Sequence, residues 1–130
     1  MASFAERELD VMKVLWSRGP STAAEVRDAL ADDVGLDLAY NSVLTILRIL
    51  EEKGYVDHTV EGRAHRYLPL VAREDAGRSA LRRLIDSLFD RSPELLLTEL
   101  VRDRSLDADT VRRLRAMLDE AERGEREDAP

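Results

Sequence analysis

The chain contains no cysteine among its 130 residues. That absence excludes a disulfide scaffold, a thiolate metal site and a cysteine nucleophile. No apolar run approaches the roughly 18 residues that a membrane-spanning helix requires, and the first residues lack the basic stretch and apolar core of a signal peptide. We therefore expect a cytoplasmic protein that has no membrane partner.

Aromatic side chains are few and unevenly distributed. Five of the six lie within the first 67 residues, which indicates that the chain has two unequal parts. The composition, with 44% hydrophobic and 36% charged residues, is typical of a globular protein with a core. Because the formal net charge is −7, the chain is not suited to coating nucleic acid through bulk charge alone.

Groups that could perform catalysis are also scarce. The two histidines, His58 and His65, fall in one predicted hairpin, whereas a zinc ion requires about four ligands. The sequence has no phosphate-binding glycine-rich loop, no nucleophile elbow and no His-Glu-x-x-His motif. We therefore predict that the protein is not an enzyme, and we predict neither a metal site nor a cofactor.

Two short helices are predicted before residue 38. Apolar residues recur at helical spacing over about 6–17, and Gly19 follows as a helix stop. Thr22 and Glu25 then stand at the spacing of a capping box, which predicts the start of a second helix. Residues 32–37 are interpreted as a loop.

A third helix and a β-hairpin complete the first half. The helix is predicted over about 39–53, with Gly54 as its C-terminal cap. Two strands, 55–60 and 65–70, flank a turn at 61–64. Three helices followed by a hairpin predict a winged helix-turn-helix, in a fold that is mostly α with one small β-hairpin.

The chain after residue 73 is predicted to be helical and rich in exposed aliphatic side chains. Three short helices cannot bury that surface alone, so we predict a homodimer through a helical dimerisation region at 73–123. The alternative is that these helices fold back onto the winged-helix domain, assigned to 1–72. A charged tail at 124–130 is expected to be disordered. The residues assigned to the dimer interface are Leu81, Leu84, Ile85, Leu88, Leu96, Leu100, Leu114 and Leu118.

The third helix has a polar outer face. With its apolar residues turned inward, Asn41, Ser42, Thr45 and Arg48 point outward, and no acid lies between residues 39 and 50. Asparagine, threonine and arginine side chains suit the edges of bases in the major groove of DNA. The hairpin adds arginines that would form the wing, although residues 38–70 carry four basic and four acidic side chains. An ordinary solvated helix face remains the alternative interpretation.

The chain resembles the BlaI/MecI-type penicillinase repressors, which are bacterial winged-helix regulators. The resemblance covers about residues 6–69 and rests on four motifs. They are Glu8-x-x-Val11-Met12-x-x-Leu15-Trp16, Ala39-Tyr40-Asn41-Ser42-Val43-Leu44-Thr45-Ile46-Leu47, Leu50-x-x-Lys53-Gly54 and Gly62-Arg63-Ala64-His65-Arg66-Tyr67-x-Pro69.

The resemblance implies a homodimeric repressor that occupies a double-stranded DNA operator of two inverted half-sites. It places base and phosphate contacts on seven residues of the third helix and the wing. These are Tyr40, Asn41, Ser42, Thr45, Arg48, Arg63 and Arg66. The family often has threonine at the first two polar positions of this helix and basic residues at the positions of Ile49 and Glu52, so this helix is less basic than the family pattern.

The resemblance does not identify how the repressor would be released. Relatives that control β-lactam resistance are cleaved at an Asn-Phe bond after a membrane sensor is triggered, but Glu99-Leu100 occupies that place here. A regulatory protease or sensor is therefore an open partner. Two other functions stay open, which are a winged helix that binds a protein and a repressor with a small-molecule pocket at the junction of the two halves.

Overall fold

The computed structural model describes residues 4–128, over which the chain forms six α-helices and three short strands. The elements are α1 (Glu6–Arg18), β1 (Ser21–Thr22), α2 (Ala23–Val34), α3 (Tyr40–Glu52), β2 (Val56–Glu61), β3 (Ala64–Pro69), α4 (Arg73–Leu88), α5 (Pro93–Arg102) and α6 (Ala108–Asp128). The chain divides into two compact units, and the division falls between Arg83 and Leu84. The predicted boundary after residue 72 lies just before α4, and the domain assignment stays a prediction.

The first unit has its own hydrophobic core. Helices α1, α2 and α3 each contribute the apolar face that their spacing predicts, and the sheet closes the core from one side. The largest side chains that are fully buried are Val11, Met12, Leu15, Val26, Leu30, Val43, Leu47, Leu50 and Val56. The inward face predicted for the third helix is therefore confirmed.

The sheet has three antiparallel strands in the order β1-β3-β2. The hairpin of β2 and β3 is confirmed, with His58 opposite Tyr67. Its turn is tighter than predicted, because Gly62 and Arg63 alone connect the strands and Gly62 adopts a φ of +62°. Strand β1 was not predicted from the sequence.

Helix ends in the first unit are set by specific caps. The Glu25 N–H donates to Thr22 Oγ1 at 3.2 Å, which confirms the predicted cap of α2. Helix α2 continues through residues predicted as loop and ends at Gly35, whose φ is +69°. At the end of α3 the Gly54 N–H donates to the Glu51 carbonyl at 3.0 Å and the Tyr55 N–H to the Leu50 carbonyl at 2.9 Å, which is a Schellman motif.

The second unit contains the last residues of α4 together with α5 and α6. Ser92 caps α5, because its Oγ accepts the Leu95 N–H at 3.3 Å, and Pro93 occupies the first turn as predicted. Residues 124–128 belong to α6, residues 129–130 lie outside the described residues, and disorder of the tail stays a prediction. None of the described helices is long and apolar enough to span a bilayer.

Candidate nucleic-acid interface

The outward face of α3 is polar and accessible to solvent. Tyr40, Asn41, Ser42, Thr45 and Arg48 are all exposed, as the sequence predicts. The Thr45 hydroxyl donates to the Asn41 carbonyl at 2.9 Å, so its donor is already used within the helix. The face therefore offers one amide, one free hydroxyl, one phenol and one guanidinium to a partner, without a competing carboxylate in its first three turns.

The burial of its apolar face fixes the orientation of α3. Val43, Leu47 and Leu50 have no exposed surface, and rotation of the helix about its axis would bring them into water. The Schellman motif at Gly54 then fixes the direction in which the chain leaves the helix toward β2. Together these features set the polar face of α3 relative to the hairpin.

An ion pair that was not predicted connects α1 to the end of α3. Lys53 Nζ lies 2.7 Å and 3.1 Å from the two carboxylate oxygens of Glu8. Glu8 is only 8% exposed, and its carboxylate also accepts the Ala5 N–H at 3.3 Å. The sequence carried a signal for this pair, because Glu8 lies three and four residues before Val11 and Met12 and so shares their buried helix face.

A crevice of about 300 Å³ lies between the start of α2, the outer face of α3 and the hairpin. Tyr40 and Arg48 line it from α3, and Arg63 lines it from the turn of the hairpin. The structure thus brings three of the predicted contact residues to one crevice. Asn41, Ser42 and Thr45 lie elsewhere on α3.

The two arginines assigned to the wing have different surroundings. Arg63 is exposed and makes no ion pair with any residue in the range 4–128. Arg66 is half-buried, and its guanidinium lies 2.5 Å from Glu61 and 3.0 Å from Glu25. Arg66 Nη1 also donates to the Pro20 carbonyl at 2.9 Å. Arg63 is therefore available to a phosphate, whereas Arg66 ties the hairpin to the start of α2.

The charges around Arg66 are mutually stabilising. Its hydrogen bonds to Glu61 and Glu25 raise the pKa of Arg66 further, and the hydrogen bond from Arg66 lowers the pKa of Glu25. The two carboxylates and the single guanidinium give this cluster a net charge of −1, so it adds no positive charge to the interface. Arg48 on α3 and Arg63 at the hairpin turn are exposed cations.

The two histidines stack against each other on the hairpin. The rings of His58 and His65 are 4.1 Å apart and nearly parallel, and His58 Nδ1 contacts the Glu51 carboxylate at the end of α3. Burial, and secondarily the charge of Glu51, raises the pKa of Tyr67 beside them. Among the described residues, Glu51, Asp57 and His58 each place one possible ligand atom within 4.8 Å of the others. Three ligands are fewer than the four that a structural zinc site takes, and two of these groups, Glu51 and His58, already contact each other. The absence of a metal site stays a prediction.

Three helices followed by a sheet with an exposed arginine at its hairpin turn define a winged helix-turn-helix. A family model for the penicillinase repressor matches residues 4–120. The chain belongs to the penicillinase repressor family, which is a family of transcriptional repressors, and the resemblance predicted from the four motifs is confirmed.

Individual relatives agree with this membership. The transcriptional regulator BlaI of two Mycobacterium tuberculosis strains is 38% identical over 76 residues, which are 58% of this chain and 54% of the relative. The chain thus spans about half the length of the curated relatives it matches.

Two solved structures are also similar. Bacillus licheniformis BlaI, in its monomeric form with the blaP half-operator, is 30% identical with a TM-score of 0.48, covering 57% of this chain and 88% of that chain. The complex structure of hsRosR-S4 is 16% identical with a TM-score of 0.56, covering 94% of this chain and 92% of that chain, which shows a likeness of fold.

Proposed function

We propose that the protein is a sequence-specific transcriptional repressor that binds a double-stranded DNA operator through α3 and the hairpin. The observation that carries this proposal is the exposed polar face of α3, which has no carboxylate in its first three turns. This face adjoins Arg63 at the hairpin turn, which makes no ion pair in the part of the chain that the structure describes. Membership of a repressor family supports the same function. No cofactor is part of the proposal.

Within this function, the short polar side chains of α3 read bases. Asn41 suits the paired donor and acceptor of adenine, and Ser42 is able to bond to either partner of a base pair. Thr45 has committed its hydroxyl donor to the helix backbone, so it contributes its methyl group to a thymine methyl. Arg48 contacts either a guanine edge or a phosphate.

Phosphate contacts come from both sides of the crevice. Arg63 at the hairpin turn and Tyr40 at the start of α3 hold the DNA backbone in this proposal. Arg66 contributes mainly by positioning the hairpin, because its guanidinium already bonds to Glu25 and Glu61. This assignment differs from the role that the family resemblance implies for Arg66.

We further propose that the second unit forms a homodimer. Among its described residues Ile85 alone is buried, and it is therefore packed within one chain rather than free for a partner. The other predicted interface residues remain available on the surface of a single chain, at least in part. They are Leu81, Leu84, Leu88, Leu96, Leu100, Leu114 and Leu118. A second copy that covers this aliphatic surface would also pair two α3 helices on an inverted repeat.

Selection of sheared genomic DNA on the purified full chain tests the proposal. Bound fragments are eluted in steps of increasing salt and sequenced, because specific complexes survive salt that releases non-specific ones. We expect a pseudo-palindromic sequence in the fractions released at moderate salt. The double variant Arg48→Ala with Arg63→Ala tests the interface, and Arg7→Ala on α1 is its matched control. Recovery of the same fragments with the double variant would contradict the assignment of the interface, and recovery of none with the full chain would favour a protein-binding winged helix.

A further inference from the structure

A second cavity, separate from the crevice beside α3, lies between α1 and the first three turns of α4. Its volume is about 430 Å³, which is within the range of sites that hold small molecules. All of its lining residues belong to the first unit. The proposed DNA contacts use none of them.

The walls of this cavity are apolar. Phe4, Leu9 and Trp16 form one side, with the rings of Phe4 and Trp16 edge to face at 6.1 Å. The Trp16 indole N–H donates to the Val71 carbonyl at 2.8 Å, so the polar atom of the ring is already satisfied. The ring therefore presents apolar surface to an occupant.

The α4 side of the cavity is open because its residues are small. Ala76, Gly77 and Ala80 line that side. A Cβ atom added at Gly77 would meet no atom within 4 Å, so a side chain at this position would project into empty space. Glycine is unfavourable inside a helix, and here it lines the same cavity as Trp16 without a side chain to fill it.

All charged residues that line the cavity are basic. They are Lys13 from α1 and Arg73 and Arg83 from α4, and no carboxylate lines the cavity among residues 4–128. The Arg73 guanidinium carbon lies 5.8 Å from the centre of the Trp16 ring. In a chain whose net charge is −7, an apolar hollow whose charged lining residues are all basic is complementary to an anion with an apolar body.

We propose that this cavity binds a small amphipathic monoanion, a carboxylate that carries a short aliphatic or aromatic group. The apolar body lies against Phe4 and Trp16 in the space beside Gly77, and the carboxylate faces Lys13 and Arg73. The occupant contacts both α1 and α4 and so holds the start of α4 against the winged helix. The binding itself does not depend on the proposed DNA contacts.

Trp16 provides the measurement, because it is the only tryptophan in the chain. Octanoate is titrated into the full chain while tryptophan emission is recorded, and octanol serves as the uncharged probe of the same length. We expect a saturable change in emission with octanoate and at least tenfold weaker binding of octanol. Equal binding of the two probes would overturn the proposal, because it would show that the cations do not select an anion.

Two variants locate the site. Gly77→Leu fills the space beside Trp16 and should abolish octanoate binding, while circular dichroism shows unchanged or higher helix content. Gly124→Leu makes the same change at another helical glycine whose added Cβ has open space, and it should leave binding unchanged. Retention of binding in Gly77→Leu would place the site elsewhere and overturn the assignment.

A charge variant and a monomeric variant complete the test. Lys13→Gln is expected to weaken octanoate binding several-fold with little effect on octanol. If the full chain binds no octanoate but a Leu88→Asp variant does, the cavity is covered by a second copy and the proposal fails. Since no DNA is present in these titrations, their outcome is separate from that of the operator selection.

Discussion

Arg63 and Arg66 lie three residues apart on one hairpin but should affect DNA binding differently. Because Arg63 has no ion-pair partner among the described residues, Arg63→Ala should remove about one phosphate contact and reduce the slope of log K against log salt by about 1. Arg66→Ala should change the slope less and lower the stability of the protein. Fluorescence anisotropy on the selected operator at several salt concentrations measures both effects.

Arg7→Ala is the matched control for this comparison. Arg7 lies on α1 and pairs with Asp10 at 3.3 Å, so its removal should change neither the slope nor the operator preference. A larger change of slope for Arg66 than for Arg63 would show that the ion pairs of Arg66 open on DNA, which contradicts its proposed positioning role.

The Glu8–Lys53 pair gives a prediction on stability. Lys53→Met should lower the free energy of unfolding by about 2 kcal/mol, since it leaves a carboxylate that is 8% exposed without its cation. Glu8→Gln should cost less, because no unpaired charge remains in the folded protein. The double variant should cost less than the sum of the two single changes, and urea unfolding curves test this non-additivity. Strict additivity would mean that the pair contributes no coupling energy.

Acid should weaken the bonds between the hairpin and α2. The hydrogen bond from Arg66 lowers the pKa of Glu25 in the folded protein, so this carboxylate contributes stability above its ordinary pKa. That contribution is lost as the pH falls through the lowered pKa. Between neutral pH and about pH 3 the Glu25→Gln variant should therefore lose less stability than the wild type, measured by urea unfolding at each pH. Parallel losses would mean that Glu25 does not contribute through its charge.

At the scale of elements, the cap at the end of α3 is a position that is sensitive to backbone change. Gly54 has a φ of +83° and its added Cβ would meet no atom within 4 Å, so Gly54→Ala would cost backbone strain alone, about 1–2 kcal/mol. Gly77→Ala is the matched control, because a helical glycine gains about 0.5–1 kcal/mol on the same change. Thermal unfolding should shift down for the first variant and up for the second. A shift in the same direction would refute the role of the Schellman motif.

The sequence predicted the helices of the first unit better than it predicted the sheet. Long apolar periodicity identifies α1 and α3, because burial of one face is what makes these segments helical. Strand β1 has only two residues, which show no alternation, and it forms because Ser21 and Thr22 pair with Tyr67 and Arg66 on β3. A pairing that depends on residues 44 and 46 positions away leaves no local signal.

Charged residues are the other places where local sequence patterns did not predict the structure. Asp32 and Asp33 suggested a loop, yet α2 continues through them and Arg18 binds Asp33 at 2.7 Å. The ion pair lowers the pKa of Asp33 and offsets the unfavourable position of a carboxylate late in a helix. The seven predicted contact residues all lie on α3 or the hairpin, but only the structure shows that Arg66 is paired whereas Arg63 has no ion-pair partner within residues 4–128.

At the scale of the whole molecule, the core of the second unit is too small to bury the aliphatic side chains that this unit contains. Leu88 and Leu118 are 72% and 58% exposed in a single chain. Leu88→Asp and Leu118→Asp should each convert a dimer to a monomer at micromolar concentration, as measured by sedimentation equilibrium. The control is Leu70→Asp in the first unit, where a leucine that is 55% exposed should tolerate the change without altering the assembly. A wild-type chain that sediments as a monomer would contradict the dimer.

The bonds that Arg66 makes to Pro20 and Glu25 also have an entropic consequence for DNA binding. A hairpin that moved freely in the unbound protein would have to be ordered each time it met a target, and that loss of conformational freedom would subtract from the affinity. Arg66 bonds the hairpin to Pro20 and Glu25 beforehand, so its order is established during folding. A face with few net positive charges can thus bind tightly through preorganisation rather than through attraction at a distance.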